Sequence, residues 1–251
     1  MKQIKLKEIE TTAPARDDKT DMKKELTILH KQLFSLQHLF HANASRSMLI
    51  VFQGMDTSGK DGTIRHVFSC VNPLGVHATA FSEPCDNERV HDFLWRIYQR
   101  LPEKGMIRIF NRSHYEDILV PTVHRMLDEK LIERRYDYIN SFEQQLEDSG
   151  TIILKFYLHI SRDEQKKRLE KRLTDPLKKW KYKASDKTES KKWNDYIRTY
   201  ENIINRCSSD IPWQIIPADD KWYRNYLVAK AIVVKLESLE MKYPGETDQS
   251  H

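Results

Sequence analysis

A short stretch between an apolar run and a helical pattern constrains the fold of this chain more than any other feature. Residues 48–52 (MLIVF) form a continuous apolar run, which is typical of a strand buried on both faces. The loop that follows holds Gly54, Gly59 and Gly62, three of the seven glycines in the chain. Residues 63–68 (TIRHVF) then favour a helix. The stretch therefore predicts a strand, a tight turn and a helix.

The spacing Gly54-x-x-x-x-Gly59-Lys60 is that of a phosphate-binding loop, and residues 54–60 are called the phosphate loop below. The N–H groups of such a loop and the start of the next helix attract anions, and Lys60 can reach a phosphate oxygen. Asp61 departs from the usual pattern, because it stands where Ser or Thr would help to hold Mg²⁺. A glycine turn with a purely structural role is the alternative.

Asp56 adds a carboxylate inside the phosphate loop. Two like charges about 4 Å apart repel by on the order of 1–4 kcal/mol, so a carboxylate beside phosphates needs a compensating role. The sequence leaves the role of Asp56 open. It either shares a bridging metal ion, takes a proton from an attacking group, or points away and caps a turn.

Strands that alternate with helices predict an α/β fold, with a parallel sheet covered by helices on both faces. A length of 251 residues suits one domain with a sizeable core. The predicted strands are residues 48–52, 76–81, 105–110, 151–160 and 213–216. The predicted helices are residues 23–40, 63–68, 87–100, 123–131 and 134–146, a long basic stretch from 162, and 221–239. We expect residues 1–20 to form a polar arm that frays.

Apolar runs and cysteines bear on the compartment. No apolar run approaches the ~18 residues that a membrane helix requires, and no N-terminal stretch suits a signal peptide. The cysteines are scattered and form no CxxC pair, at Cys70, Cys85 and Cys207. This pattern favours a reducing cytoplasm over disulfides or a zinc site. We therefore expect a cytoplasmic protein with no membrane partner.

A second polar group, NRSHYED at residues 111–117, follows the third predicted strand. Ligands of parallel α/β sheets bind at the carboxyl ends of the strands, so we expect this group to lie near the phosphate loop. Asp117 is the predicted Mg²⁺ ligand, and Arg112 the predicted clamp on a transferring phosphoryl group. A surface loop with ordinary Asp–Arg pairing is the alternative.

Positive charge is concentrated in residues 165–192, called the basic segment below. It holds twelve Lys or Arg and four Asp or Glu, a net charge of +8, whereas the whole chain carries +5 and the remainder therefore −3. A solvated helix face is the ordinary explanation of such a run. Its position after the fourth predicted strand is where nucleotide kinases close a mobile lid. So many cations indicate a long polyanion, either nucleic acid or a polyphosphate chain.

The chain resembles the polyphosphate kinase 2 family in a series of ordered blocks: GMDTSGKDGT, HDFLWR, FNRSHYEDILV, TIILKFYLHIS, DPLKKWK and PADDKWYRNYLVAKAI. The resemblance covers about residues 47–239 and is more specific than the phosphate loop alone. It implies a P-loop kinase core, in which a parallel five-stranded sheet lies between helices, plus a helical basic lid. The single domain, residues 1–251, would comprise an arm (1–20), an N-terminal helix (22–42), a core (47–160 and 205–240) and a lid (162–200).

The resemblance also implies an activity. Members transfer the terminal phosphoryl group of inorganic polyphosphate reversibly to nucleotides, with Mg²⁺ or alternatively Mn²⁺, often as homodimers or homotetramers. The form NRSHYED with Glu116 resembles the subgroup that accepts nucleoside monophosphates as well as diphosphates. Asp61 is usual in this family, so it no longer counts against phosphate binding. Nucleic acid is then not an expected partner.

Site residues follow from the matching motifs. The implied catalytic residues are Asp56, Lys60, Arg112 and Asp117, of which Asp56 and Asp117 would hold the metal. The implied substrate-binding residues are Gly54, Thr57, Ser58, Gly59, Asp61, Gly62, Arg65, Glu116, Arg168, Arg172, Lys178 and Lys181. Two rival hypotheses remain, an ATP-dependent nucleotide kinase of the thymidylate-kinase type and a non-catalytic P-loop protein that binds nucleic acid.

Overall fold

The computed structural model describes residues 3–182, 185–208 and 210–245, without the side chains of residues 181 and 185–187. The strands are β1 (Ser47–Gln53), β2 (Val76–Ala80), β3 (Ile107–Asn111), β4 (Thr151–His159) and β5 (Trp213–Pro217). The α-helices are α1 (Lys19–Asn43), α2 (Lys60–Val67), α3 (Asp86–Arg89), α4 (Trp95–Tyr98), α5 (Glu116–Val123), α6 (Glu129–Asp148), α7 (Arg162–Thr174), α8 (Ser185–Lys191), α9 (Trp193–Arg206) and α10 (Lys221–Glu237).

The five strands form one parallel sheet in the order β2-β3-β1-β4-β5, which confirms the predicted sheet. Every residue of β1 and β4 is buried, as the continuous apolar runs required of strands covered on both faces. Helix α1 packs along α10, and α5 packs against α6 and α9. These helices cover the central strands, whereas residues of the edge strand β2 are partly or fully exposed. The polar groups of the central strands are therefore accessible mainly where those strands end.

The register brings the carboxyl ends of the central strands together. Phe52 of β1 lies opposite Asn111 of β3, and Gln53 lies opposite Tyr157 of β4. The phosphate loop leaves β1 at this edge, and Arg112 follows β3 there. The sheet therefore places the two sequence groups side by side, as predicted.

The N-terminal segment departs from the predicted polar arm, because it packs on the fold. Leu6 is fully buried, and its N–H donates to the Glu201 side chain (2.7 Å). The N–H of Ile4 donates to Asn205 Oδ1 (2.7 Å), and Thr11 Oγ1 donates to Asp219 (2.8 Å). The composition of the segment is polar, but its partners lie far away in sequence, so charge counting could not find them.

Two predicted helices are wrong. Residues 87–100 form the short helices α3 and α4, because Asp92 Oδ1 accepts from the N–H of Leu94 and starts a separate turn. The helix predicted at residues 123–131 does not form as one helix. Helix α5 ends at Val123, and α6 starts after Asp128, whose side chain accepts from the N–H of Lys130. The group NRSHYED therefore runs into the first turn of a helix.

The long basic stretch from residue 162 is broken where Asp175-Pro176 interrupts it. Helix α7 ends at Thr174, a short 3₁₀ turn covers Lys179–Lys181, and α8 and α9 follow. Within the described part of the chain, no helix is both long and apolar enough to cross a membrane.

Candidate active site

Glycines shape the phosphate loop because other backbone and side-chain atoms lie close to it. Gly54 has φ +146°, and a Cβ there would come within 2.7 Å of the Leu158 carbonyl oxygen. Gly59 has φ +102°, and a Cβ there would lie 2.1 Å from Arg224 Nη1. Both positions therefore require glycine. Gly62, in the first turns of α2, is less constrained, since a Cβ would meet Arg224 only at 3.7 Å.

Lys60 folds back over the loop instead of extending into solvent. Its Nζ donates to the carbonyl oxygens of Gly54 (2.7 Å) and Met55 (3.3 Å), and the side chain is buried. Burial and, to a smaller extent, the neighbouring charge of Arg112 lower the pKa of Lys60 to about 8, although Asp56 and other acidic groups oppose the shift. A bound phosphate would add a negative charge next to Lys60 and so stabilise its buried ammonium.

Two hydroxyl groups of the phosphate loop support anion binding. Thr57 Oγ1 and Ser58 Oγ are buried, and neither has a hydrogen-bond partner in the described part of the chain. Thr57 also has φ +67°, which is unusual for a residue with a branched side chain. Buried polar groups are normally paired, so these hydroxyls fit a loop built to receive phosphate oxygens.

Arg112 brings the two sequence groups together. Its Nη2 lies 2.6 Å from Asp56 Oδ1, and its Nη1 lies 3.9 Å from Glu116 Oε2. Burial would raise the pKa of Asp56, but the charges of Arg112, Lys60 and Arg172 outweigh it and lower the pKa, so Asp56 is ionised. Burial raises the pKa of Glu116, with Arg112 and Lys60 opposing. Asp56, Lys60, Arg112 and Glu116 therefore form one charge cluster.

The described contacts of Asp117 lie outside this cluster, and its predicted role as a metal ligand stays a prediction. Its carboxylate accepts from Arg96 Nη2 (3.2 Å), and its backbone carbonyl accepts from Arg135 Nη1. Burial raises the pKa of Asp117, and the nearby charges that lower it are Arg96, Arg135 and His114. Successive residues in the first turn of a helix point in different directions, so Glu116 reaches the phosphate loop and Asp117 reaches the side of Arg96.

The residues present offer a partial metal site. Among the described residues there is no cluster of three or more His, Cys, Asp or Glu side chains that could hold a metal ion. The Asp56 carboxylate is 37% exposed and ionised, so it can donate an oxygen. Mg²⁺ is commonly held by one or two carboxylates together with substrate phosphates, and such a shared site fits Asp56.

Arg168 is a structural clamp on the phosphate loop, and its predicted role in substrate binding stays a prediction. Its Nη1 donates to the carbonyl oxygens of Thr57 and Ser58 (3.0 Å each), and its Nη2 donates to those of Ala218 and Asp219 (2.7 and 2.9 Å). Its remaining N–H, at Nε, donates to Glu164. The guanidinium of Arg168 therefore joins the phosphate loop to residues 218–219.

The other predicted cations differ in their surroundings. Arg172 is close enough for its charge to lower the pKa of Asp56. Lys178 pairs with Asp175 on the outside of the basic segment, and Arg65 lies exposed on α2. The side chain of Lys181 lies outside the described residues. Only Arg172 of this group is therefore shown to act on the charge cluster.

Asp61 couples the phosphate loop to β3, since its Oδ1 accepts from Asn111 Nδ2 (2.6 Å). This contact gives Asp61 a role other than holding a metal ion. The position of Asn111 after the third predicted strand predicts that it lies at the carboxyl ends of the strands. The partner in α2 could not be inferred from that position alone.

Arg224 and Gln53 were missed by the sequence interpretation. Arg224 is buried, its Nη1 donates to the Ser58 carbonyl (3.2 Å), and burial next to Arg168 lowers its pKa to about 10. With its amide oriented to satisfy its neighbours, Gln53 donates to Glu116 Oε1 (3.0 Å) and the Tyr200 hydroxyl oxygen (3.2 Å). Arg224 occurs in the block PADDKWYRNYLVAKAI, which was the only sequence signal for it.

A parallel five-stranded sheet, with a Gly-x-x-x-x-Gly-Lys loop at the carboxyl end of its central strand, defines a P-loop kinase fold. The chain belongs to the polyphosphate kinase 2 family, because the family model described as "Polyphosphate kinase 2 (PPK2)" matches residues 16–244.

Individual relatives agree with this assignment. The chain is 46% identical to an AMP/ADP-polyphosphate phosphotransferase of Meiothermus ruber, over 87% of this chain and 82% of the relative. It is 42% identical to an ADP-polyphosphate phosphotransferase of Rhodopseudomonas palustris, over 86% of this chain and 80% of the relative. The crystal structure of polyphosphate kinase 2 from Arthrobacter aurescens TC1 is similar, with a TM-score of 0.94 at 38% identity, and covers 100% of this chain and 91% of that one.

Proposed function

We propose that this protein transfers the terminal phosphoryl group of inorganic polyphosphate to nucleoside mono- and diphosphates, reversibly and with Mg²⁺ or Mn²⁺. The observation that carries the proposal is the charge cluster, in which Lys60, Arg112 and Asp56 meet. Beside it lie the hydroxyls of Thr57 and Ser58, which have no hydrogen-bond partner among the described residues. Family membership and the names of the relatives support the substrates.

In the proposed reaction, an oxygen of the acceptor phosphate attacks the terminal phosphorus of polyphosphate. The bond from that phosphorus to its bridging oxygen breaks, and the bridging oxygen remains on the shortened chain with the negative charge. Lys60 and Arg112 stabilise charge on the transferring group, and the loop N–H groups orient it. The acceptor phosphate is already ionised near neutral pH, so no residue has to act as a strong base.

The metal is part of the proposal. When bound, Mg²⁺ would neutralise charge on the phosphate oxygens. Asp56 fits as its protein ligand, and Asp61 and Glu116 lie close enough to Lys60 for their charges to raise its pKa. The predicted ligand Asp117 stays a prediction, because its described contacts are with Arg96 and Arg135.

A donor exchange tests the proposal. Protein and Mg²⁺ are incubated with AMP or ADP and long-chain polyphosphate, or with AMP and GTP, and the nucleotides are separated by chromatography. We expect ADP and ATP from AMP with polyphosphate alone. The Lys60→Met variant, purified identically, should give no product, which also excludes a contaminating adenylate kinase. The exposed Lys24→Met variant is the matched control and should behave as wild type.

Each outcome has a distinct meaning. ATP from ADP with no product from AMP would keep polyphosphate as donor and remove the monophosphate activity. Products with GTP alone would indicate a nucleotide kinase of the thymidylate-kinase type. Tight binding of DNA or RNA without turnover would favour the non-catalytic alternative.

Assembly and compartment belong to the proposal as well. We propose a homodimer or homotetramer in the cytoplasm, and the described thiols of Cys70, Cys85 and Cys207 are free, which supports a reducing compartment. Light scattering during size-exclusion chromatography measures the mass directly. A monomer at assay concentration would contradict the assembly.

A further inference from the structure

A network of charged and polar side chains lies inside the core and includes two residues of the group NRSHYED. Lys155, within β4, is 1% exposed, and its Nζ donates to Glu143 Oε2 (2.6 Å), the Cys207 carbonyl (2.7 Å) and the Tyr115 hydroxyl oxygen (3.0 Å). Glu143 Oε1 accepts from the Tyr115 hydroxyl (2.8 Å) and from His114 Nε2 (3.1 Å). We call Lys155, Glu143, Tyr115 and His114 the buried network.

The charges of the buried network are compensated internally. Burial would raise the pKa of Glu143, but Lys155 and His114 outweigh it and hold the pKa below its ordinary value, so Glu143 is a carboxylate that only accepts hydrogen bonds. Replacing a buried ion pair by apolar side chains of similar volume is often neutral or stabilising. We therefore expect the fold to tolerate joint replacement of Lys155 and Glu143 by apolar side chains. Their hydrogen bonds do fix the directions of Tyr115 and His114.

Those directions matter because His114 and Tyr115 lie between two members of the charge cluster. Arg112 precedes them with φ +64°, a left-handed conformation that an arginine adopts only when its surroundings hold it. Glu116 follows them as the first residue of α5. One side of this turn is attached to Glu143, and its other side presents Arg112 to Asp56 (2.6 Å).

We propose that Lys155 and Glu143 are positioning residues, which act through Tyr115 and His114 to hold Arg112 and Glu116 in the orientation used for phosphoryl transfer. The inference rests on the proposed function of the charge cluster. It predicts that turnover depends on hydrogen bonding inside the core, separately from the stability of the fold. Misplacement of a catalytic group by about 1 Å can cost on the order of a hundredfold in rate.

The decisive variant replaces the ion pair by apolar side chains, Lys155→Met with Glu143→Leu. We expect it to remain folded, with a midpoint of urea unfolding below that of wild type, because no buried charge is left unpaired but the Tyr115 hydroxyl, His114 Nε2 and the Cys207 carbonyl lose partners. Its kcat with polyphosphate and ADP should fall by about 10- to 100-fold, with the KM for ADP unchanged. A double variant of Lys155→Met with Glu143→Gln restores an acceptor for Tyr115 and His114, and should recover part of the lost kcat.

A milder variant guards against failure to fold. Tyr115→Phe removes one hydroxyl and leaves the contact between Lys155 and Glu143 intact, and we expect its kcat to fall by about threefold or more. Glu133→Gln is the matched control, because Glu133 lies on the same helix as Glu143 and forms an exposed ion pair with Arg206 (2.7 Å). It should leave kcat unchanged.

The outcomes separate this inference from the proposed function. Wild type without turnover on any donor would remove the proposed function, and the inference with it. Two results together, with an active wild type, would overturn the inference alone. Tyr115→Phe would be as active as wild type, and kcat of the double variants would follow their stability. A well-folded apolar double variant with full kcat would also overturn it. Loss of kcat in an apolar double variant that remains folded under assay conditions, with partial recovery by Glu143→Gln, is the expected result.

Discussion

Lys60 links the active site to the pH dependence of stability. Its pKa in the folded protein is lowered to about 8, from an ordinary value of 10.5. Between these values the unfolded chain binds more protons at this position than the folded chain, so the free energy of unfolding rises with pH. The full difference corresponds to about 3 kcal/mol.

We expect wild type to gain stability relative to Lys60→Met as pH rises from about 8 towards 10.5. Urea unfolding of both proteins at several pH values measures the difference, and other titrating groups cancel in the comparison. Parallel curves for the two proteins would show that the Lys60 ammonium is not destabilised by burial.

Glu116 and Asp117 are adjacent carboxylates with different surroundings, and their variants should differ. Glu116→Gln weakens the hold on Arg112 inside the charge cluster, and we expect turnover to fall more with AMP than with ADP. Asp117→Asn removes the nearer of the two carboxylates that pair with the buried Arg96. It should lower the free energy of unfolding by about 1–3 kcal/mol without changing the ratio of the rates with AMP and ADP. Rates with both acceptors and urea midpoints test this. Loss of all turnover in Asp117→Asn at normal stability would support the metal-binding role predicted for Asp117.

At the scale of elements, α7 contacts the phosphate loop through two side chains, Gln165, which donates to the Asp56 carbonyl (3.3 Å), and Arg168. Arg168→Met should lower the free energy of unfolding by about 1–3 kcal/mol and raise the KM for polyphosphate, because loop carbonyls lose their donor. Lys167, its exposed neighbour, is the control, and Lys167→Met should change stability by less than about 0.5 kcal/mol. Urea unfolding and initial rates measure both. Equal behaviour of the two variants would refute the clamp.

Elements whose signal is local were predictable, and elements defined by distant partners were not. The apolar runs of β1 and β4 predict buried strands, and the glycine spacing predicts the phosphate loop, because both patterns depend on neighbouring residues only. Helix α5 was missed because its first turn belongs to the polar group NRSHYED and because Pro121 lies inside it. The hydrogen bonds of Arg168 could not be predicted, since a charge count does not reveal the carbonyl groups that a guanidinium contacts.

At the scale of the whole molecule, the basic segment gives this protein an uneven charge distribution. We expect Lys171→Gln with Lys178→Gln to raise the KM for polyphosphate, most strongly at low salt, and to leave the KM for ADP unchanged. Lys24→Gln with Lys31→Gln removes the same charge from the exposed side of α1. Initial rates at several ionic strengths compare the two double variants, and equal effects would mean that net charge alone attracts polyphosphate.

The docking of the N-terminal segment has a consequence for the order in which the molecule forms. The hydrogen bond from Ile4 to Asn205 joins residues 201 positions apart, and that from Leu6 to Glu201 joins residues 195 apart. During synthesis, Ile4 and Leu6 therefore leave the ribosome well before their partners Asn205 and Glu201. Closing so long a loop is favourable only after the sheet exists to fix both ends, so this contact completes the fold rather than nucleating it.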